Sequence, residues 1–278
     1  MIGLFDTGLG GLTVASALRA GGVSFVYYGD QANAPYGERE ADEIYVLTQK
    51  GVEVLFNEGC KLVVLACNTA TCVALRRLQR QWLPGSAYSG HNVIGIVAPT
   101  VEMTTNIAWG NCQPPEVANP ASGSIAVFGT TRTIRSEVYT IEIKKRRPNA
   151  EVIGQACPGL AGAIEAGAVE DLLEAQVQEA VQALLQKTGG RAPAEAILGC
   201  THFPLVEHLF RRHLPAELRI LSQPEAVVLG LKDYLKRHPE YAGGNGVQRF
   251  ITSAAPEESR RLARRFVGEE VAFEGLAK

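Results

Sequence analysis

The chain has 278 residues, 46% of them apolar and 20% charged, ordinary globular usage that excludes a disordered or fibrous chain and leaves room for two domains of roughly 150 residues. Its 27 basic and 29 acidic side chains give a net charge of −2 without a basic block of five or more, so neither nucleic acid nor an anionic membrane is an expected partner. No secretory signal is expected at Met1, no apolar run reaches a membrane span, and six cysteines without a C-x-x-C pair suit neither a disulfide scaffold nor a zinc ribbon, which points to a reducing cytoplasm.

Along the chain, short β-rich runs alternate with segments of helical period, the pattern of βαβ units and parallel sheets. A strand at 2–5 leads through a glycine-rich turn into a helix at 12–19, and a strand at 24–28 precedes a helix at 40–57. That helix is carried by its length and by Ile44, Leu47, Val52 and Leu55, with Asp42 off its apolar face. A strand at 62–66, a helix at 71–82 and a strand at 93–97 follow. Residues 104–123 contain Trp109-Gly110, Pro114-Pro115 and Asn119-Pro120, which break either period and read as a loop or an inter-domain crossing. Beyond it come strands at 125–128, 151–154, 196–198 and 219–221, helices at 136–145, 168–187 and 206–213, a polar loop at 241–246 and a strand at 247–251. The run Lys144-Lys145-Arg146-Arg147 reads as a solvated last helical turn that complements the helix dipole.

The sequence repeats itself weakly. Ile2-Gly3-Leu4-Phe5-Asp6-Thr7 echoes Ile125-Ala126-Val127-Phe128-Gly129-Thr130, and Leu62-Val63-Val64-Leu65-Ala66-Cys67-Asn68-Thr69 echoes Ala196-Ile197-Leu198-Gly199-Cys200-Thr201-His202. Two related α/β halves are expected, with Asp6, Thr7, Cys67, Asn68, Thr69, Thr130, Cys200, Thr201 and His202 at carboxyl ends of strands, where open parallel sheets bind ligands. A cysteine between a strand and a helix feels the positive end of the helix dipole. His202 could bear on Cys200, and Asp6 on Cys67. Taken alone, either cysteine reads first as a small buried apolar residue; the matched pair in parallel contexts leaves both readings open. Two thiols facing one carbon suit proton removal from one face and return on the other, one acting as thiolate and one as thiol. Cys60, Cys72, Cys112 and Cys157 have no polar constellation beside them and read as structural.

Other motifs carry less. The turn Gly8-Leu9-Gly10-Gly11-Leu12-Thr13 ends in Thr where a dinucleotide fingerprint requires Gly, so its glycines serve a tight turn and close approach to an anion such as a carboxylate. A phosphate-binding G-x-x-x-x-G-K-[ST] loop is absent. His208 and His213, five residues apart, diverge on a helix and read as surface residues; no metal site and no pyridoxal phosphate lysine are expected.

Several stretches resemble the glutamate racemases of the aspartate/glutamate racemase superfamily. They are Ile2 to Gly11, Tyr28-Gly29-Asp30 with Ala34-Pro35-Tyr36-Gly37, Ala66-Cys67-Asn68-Thr69-Ala70, Gly129-Thr130, Ala156-Cys157-Pro158 and Leu198-Gly199-Cys200-Thr201-His202-Phe203-Pro204-Leu205. The resemblance implies cofactor-independent, two-thiol interconversion of L- and D-glutamate for peptidoglycan. Cys67 would take the α-proton of D-glutamate and Cys200 that of L-glutamate, with Asp6, His202 and Glu165 assisting. Asp6, Thr7, Tyr36, Gly37, Asn68, Thr69, Thr130, Thr201 and His202 would hold the substrate. It also implies two α/β domains, residues 1–99 with 223–278 and residues 100–222, around a cleft that holds the active site, and a homodimer answering to a peptidoglycan-precursor activator. An aspartate racemase, or a non-catalytic regulatory binding protein on the same fold, is the alternative. Thr7 stands where the family usually has Ser, the 104–123 stretch is longer and richer in proline, and Leu221-Ser222-Gln223-Pro224 replaces an Ile-Asp-Ser type segment without a functional account.

Overall fold

Four strands in the first half and four in the second form two sheets of one topology in a computed structural model that describes residues 1–108, 123–244 and 246–276. The first half runs β1 (Ile2–Asp6), α1 (Leu12–Ala20), β2 (Phe25–Gly29), α2 (Ala41–Asn57), β3 (Leu62–Leu65), α3 (Asn68–Arg77), β4 (Asn92–Gly95) and α4 (Val97–Thr105). The second runs β5 (Ile125–Gly129), α5 (Thr131–Arg135), α6 (Val138–Arg146), β6 (Val152–Ala156), α7 (Leu160–Ala166), α8 (Glu170–Lys187), β7 (Glu195–Gly199), α9 (Glu207–His213) and β8 (Arg219–Leu221). The chain then returns through α10 (Gln223–Arg237), β9 (Gln248–Thr252), α11 (Pro256–Val267) and β10 (Phe273–Gly275).

All pairings are parallel. The second sheet has the order β6-β5-β7-β8, and the first contains the equivalent β2-β1-β3-β4, extended beyond β2 by β9 and β10. The internal repeat therefore pairs β1 with β5 and β3 with β7. In each sheet the chain leaves the middle in both directions, between β1 and β3 and between β5 and β7, and the crevice at such a switch point is where open α/β sheets bind ligands.

Alternation along the strands divides their side chains between two apolar layers. On one face of the first sheet Ile2, Leu4, Phe25, Tyr27, Leu62 and Val64 pack with Leu12, Ala15 and Leu18 of α1, Val227 and Leu231 of α10 and Phe266 of α11. On the other, Phe5, Val26, Tyr28, Val63 and Leu65 meet Ile44, Val52 and Leu55 of α2 and Ala70 and Ala74 of α3. Gly51 lets α2 close on the sheet, because a Cβ there would lie 2.1 Å from the Phe5 ring. The second sheet packs Ala126, Phe128, Ala196 and Leu198 against α7, α8 and α9. Its other face joins Ile125, Val127 and Ile197 to Ile143 of α6 and to Val97 and Val101 of α4. Helix α4 thus leaves the last β-strand of the first half to pack on the second sheet. At about 1.5–3 kcal/mol for each large apolar side chain fully buried, these layers fix where the strand ends lie.

Several sequence expectations are corrected. The strand expected at 93–97 stops at Gly95, and α4 begins at Val97, with Pro99 in its first turn, where a missing N–H costs no intrahelical bond. Residues 104 and 105 are still helical; most of the expected 104–123 loop lies outside the described residues. The helix expected from 71 begins at Asn68. Arg146 is no solvated residue: it is 3% exposed and donates to the Glu142 carbonyl and carboxylate at 2.9 and 3.2 Å and to the Ile107 carbonyl at 3.3 Å. Arg147 likewise donates to the Thr104 carbonyl at 3.0 Å, so this basic run ties α6 to the end of α4. Among the described residues no helix is long and apolar enough to cross a membrane.

Candidate active site

The ends of β1 and β3 build one wall. Cys67 follows β3 and is the N-cap of α3, where its Sγ accepts the Ala70 backbone N–H at 3.4 Å and the Thr7 hydroxyl at 3.5 Å. Burial pushes the thiol up to about 12, and the Asp6 charge adds to this, against the downward pull of the Ala70 and Thr7 hydrogen bonds. Asp6 makes no hydrogen bond with Cys67 among those observed. Its Oδ2 accepts the N–H groups of Gly8 and Gly11 at 3.3 and 2.8 Å and the Tyr27 hydroxyl at 3.5 Å. Among the described residues its Oδ1 is buried without a hydrogen-bond partner. Burial raises the Asp6 pKa above the ordinary carboxylate value, opposed by His202 and the Gly11 N–H.

The ends of β5 and β7 build the opposite wall. Cys200 Sγ lies 3.8 Å from His202 Nδ1, and His202 Nε2 lies 2.8 Å from Glu165 Oε2 on α7. Burial disfavours the imidazolium, but the hydrogen bonds and charges of Cys200 and Glu165 outweigh it and hold His202 well above its usual range. The edge of Phe266 from α11 meets the imidazole, with ring centroids 5.6 Å apart at 83°.

The walls interlock. A Cβ at Gly10 would stand 2.4 Å from Thr201 Oγ1 and 2.5 Å from His202 Nδ1, and one at Gly8 would stand 2.6 Å from Glu165 Oε2. The glycine turn after β1 therefore serves to let the backbone lie against the Cys200 arm. Thr69 Oγ1 is 3.0 Å from Thr130 Oγ1 and 3.3 Å from Thr133 Oγ1, and Thr130 caps α5 by accepting the Thr133 N–H at 3.2 Å. Gly37 fits against Thr130, and its carbonyl accepts the Arg132 N–H at 3.1 Å. The neighbouring Tyr36 is anchored by its hydroxyl donating to Asp30 Oδ2 at 2.6 Å.

Thr7, Tyr36, Gly37, Cys67, Asn68, Thr69, Thr130, Glu165, Cys200, Thr201 and His202 all line one cavity of about 30 Å³, room for two or three waters at roughly 10–15 Å³ each. Asp6 lies behind its wall. Two thiols thus face one small space from opposite sheets, a disposition suited to proton removal on one face of a carbon and delivery on the other. Cys60 and Cys157 are buried in the two cores, and Cys112 lies outside the described residues. His208 and His213 pair with Glu170 and Glu174 at 3.7 and 3.1 Å. Among the described residues no group of three or more His, Cys, Asp or Glu is placed to hold a metal ion.

Sequence reasoning missed Asp30 as the anchor of Tyr36, and it missed Tyr27, Tyr139, Gln223 and Phe266. Asp30 had a signal in the Asp-x-x-Asn-x-x-Tyr spacing. The others come from elements distant in sequence and gave none.

Comparison with known proteins agrees with this geometry. The sequence profile of the Asp/Glu/Hydantoin racemase family matches residues 14–229. A glutamate racemase of Phenylobacterium zucineum (strain HLK1) is 48% identical, the match covering 98% of this chain and 99% of that protein. One of Caulobacter sp. (strain K31) is 45% identical with the same coverage, 98% and 99%. The crystal structure of a glutamate racemase isoform from Bacillus anthracis is similar with a TM-score of 0.83 at 29% identity, covering 100% of this chain and 97% of that one.

Proposed function

The chain belongs to the Asp/Glu/Hydantoin racemase family, and from that premise we infer that it is a glutamate racemase working through Cys67 and Cys200. The observation that carries the mechanism is that these two thiols, at the ends of the equivalent strands β3 and β7, line the same cavity. Starting from L-glutamate, Cys200 as thiolate takes the α-proton, with protonated His202, held by Glu165, carrying positive charge beside it. The Cα–H electron pair stays on the substrate as a carbanion until Cys67, held as the neutral thiol by burial and Asp6, donates its proton to the other face. D-glutamate leaves with the proton on Cys200 and the negative charge on Cys67, and the first state returns either by the reverse reaction or by proton exchange with water, in which Cys200 loses a proton and Cys67 gains one. Asp6, behind the cavity wall, acts on the Cys67 thiol through its charge. The hydroxyls of Thr7, Thr69, Thr130 and Thr201 and the Asn68 amide are donors for the substrate carboxylates, with Tyr36 and Gly37 closing the wall over them.

The product supplies D-glutamate for peptidoglycan. The same reading places the enzyme in the cytoplasm as a homodimer answering to a peptidoglycan precursor, with residues 1–99 and 223–278 as one domain and 100–222 as the other; the distribution of strands between the sheets supports that division.

The test is purified protein with D-glutamate in heavy water and no added cofactor, following optical rotation and the α-proton signal, with aspartate and glutamine in parallel. Racemisation with α-deuteration of glutamate alone is expected, and Cys67→Ala or Cys200→Ala each abolishes it. Full activity in either variant would refute the two-thiol mechanism. Silence of the folded, reduced protein toward glutamate, both alone and with a peptidoglycan precursor added, would refute the substrate.

A further inference from the structure

Four buried polar side chains from four helices meet beside the Cys67 wall: Asn68 of α3, Thr100 of α4, Tyr139 of α6 and Gln223 at the start of α10, none more than 3% exposed. Asn68 lines the cavity and the other three do not. Asn68 Nδ2 donates to Gln223 Oε1 at 2.5 Å. In return Gln223 Nε2 faces Asn68 Oδ1 at 3.0 Å, Thr100 Oγ1 at 3.0 Å and the Tyr139 hydroxyl at 2.7 Å. The Tyr139 hydroxyl donates to Asn68 Oδ1 at 2.7 Å.

Hydroxyls and primary amides could in principle reverse such a network. Here one proton is fixed from outside, because the Thr100 hydroxyl donates to the Ile96 backbone carbonyl at 2.7 Å and a carbonyl oxygen only accepts. Thr100 therefore meets Gln223 as an acceptor, and the Gln223 atom facing it must be the N–H₂ group. Gln223 Oε1 then faces Asn68, so the Asn68 atom opposite is its N–H₂ group. The Asn68 oxygen accepts the Tyr139 hydroxyl and also lies 3.0 Å from Gln223 Nε2, whose two N–H groups are shared among Asn68, Thr100 and Tyr139. With the oxygen turned into this network, the function the Asn68 amide has left for the cavity is its second N–H.

We propose that Gln223, set by Thr100 and backed by Tyr139, is a positioning residue that fixes the Asn68 amide as an obligate donor toward a substrate carboxylate. The inference rests on the glutamate racemase reading of the site, and it assigns a task to the Leu221-Ser222-Gln223-Pro224 segment. A mobile amide could turn its oxygen toward the carboxylate and repel it; the locked one cannot. Because the members come from α3 on the first sheet, from α4 and α6 on the second and from the returning α10, the lock holds only while the two halves keep their relative placement.

Kinetics of the full-length enzyme in both directions test this. Gln223→Met, which keeps length and removes both bonding functions, and Thr100→Val, which removes the hydroxyl, are each expected to raise KM for both enantiomers about tenfold, the scale of one hydrogen bond to a charged group, with kcat changing less. Thr100→Ser restores the relay. In an Asn68→Ala background Gln223→Met is expected to add less than about twofold, since residues acting through one another are not additive. A full tenfold effect there, or an unchanged KM in folded Gln223→Met, overturns the proposal. Where Gln223→Met fails to fold, Thr100→Val decides. The ¹⁵N spectrum reads the relay without turnover: the Asn68 side-chain amide, identified by its loss in Asn68→Ala, is expected to shift in both variants, and an unshifted amide overturns the proposal. Failure of the unsubstituted enzyme to racemise glutamate would instead refute the function, with the amide spectrum still deciding the relay.

Discussion

Replacing Glu165 by Gln isolates the charge behind His202 while preserving shape. The carboxylate sits 2.8 Å from His202 Nε2 with its side chain 20% exposed, and a hydrogen bond to a charged group contributes about 1.5–3 kcal/mol. Partial exposure and the remaining amide hydrogen bond favour the lower end, so the loss expected in kcat/KM is about 10- to 30-fold. Because the enantiomers have equal free energy in water, kcat/KM must fall by the same factor from L- and from D-glutamate, which is an internal check on the assay. The variant also lowers the proton affinity of His202, one of whose upward influences is Glu165. If the imidazolium is the working form, the alkaline limb of the pH–rate profile moves to lower pH. The stability contribution has the same sign: a histidine raised in the fold stabilises fully below its unfolded pKa of about 6.5, and this contribution disappears as pH rises through the raised value. The advantage of the unsubstituted protein over Glu165→Gln in urea unfolding should therefore shrink as the solution becomes alkaline. Polarimetry across a pH series measures both the factor and the limb; a change within twofold and a stationary limb would show that Glu165 only packs against His202.

Gly10→Ala forces a Cβ into Thr201 and His202, so kcat/KM should fall by at least about tenfold while Gly85→Ala, whose Cβ meets nothing within 4 Å, leaves it unchanged; equal activities would refute the interlock. Tyr36→Phe removes the 2.6 Å donor to Asp30 Oδ2, which keeps Asn33 Nδ2 at 3.0 Å, a loss of about 0.5–1.5 kcal/mol, to be read as a lower urea midpoint with KM raised more than kcat is lowered. Buried Cys60 is pushed up to about 11 by desolvation. Since the unfolded thiol ionises near 8.5, its contribution is intact below that pH and is lost as pH rises to about 11. Urea titrations of Cys60→Ala should show a shallower decline over that window, by about 1.4 kcal/mol per pH unit at most, and an identical decline would remove Cys60 as its source.

How much of this was legible in sequence depended on how local the cause was. Strands buried on both faces, such as β1 and β3, announce themselves as apolar runs, and the repeat of β1 and β3 in β5 and β7 foretold two sheets of one order. Helices α10 and α11 escaped because their apolar faces are thin among charges: α11 buries only Ser259, Ala263 and Phe266. Pro224 and Pro256, each near a helix start, were the available signals. Helix α7 escaped because Leu160-Ala161-Gly162-Ala163 carries glycine and alanine rather than a stripe. Residues at strand ends were readable as site residues because parallel topology puts them there. Gln223 and Phe266 reach the site from helices more than 150 and about 60 residues away from Cys67 and Cys200 respectively, and no local pattern encodes such a meeting.

The two halves share a topology but solve one electrostatic problem differently. After β3 a helix begins at once, so Cys67 caps it and receives the Ala70 N–H and the Thr7 hydroxyl. After β7 no α-helix follows directly: a single 3₁₀ turn over Phe203–Val206 separates Cys200 from α9. The donors that a helix N-terminus supplies to Cys67 are missing there, and His202 with Glu165 stands in their place. One thiol is thus served by two hydrogen-bond donors with the Asp6 carboxylate behind them, and the other by an imidazole paired with a carboxylate. A racemase needs its two bases in opposite protonation states at every moment of the cycle. Two identical arms would leave that difference to chance, whereas a carboxylate behind Cys67, which favours the neutral thiol, and an imidazolium beside Cys200, which favours the thiolate, build it into the fold.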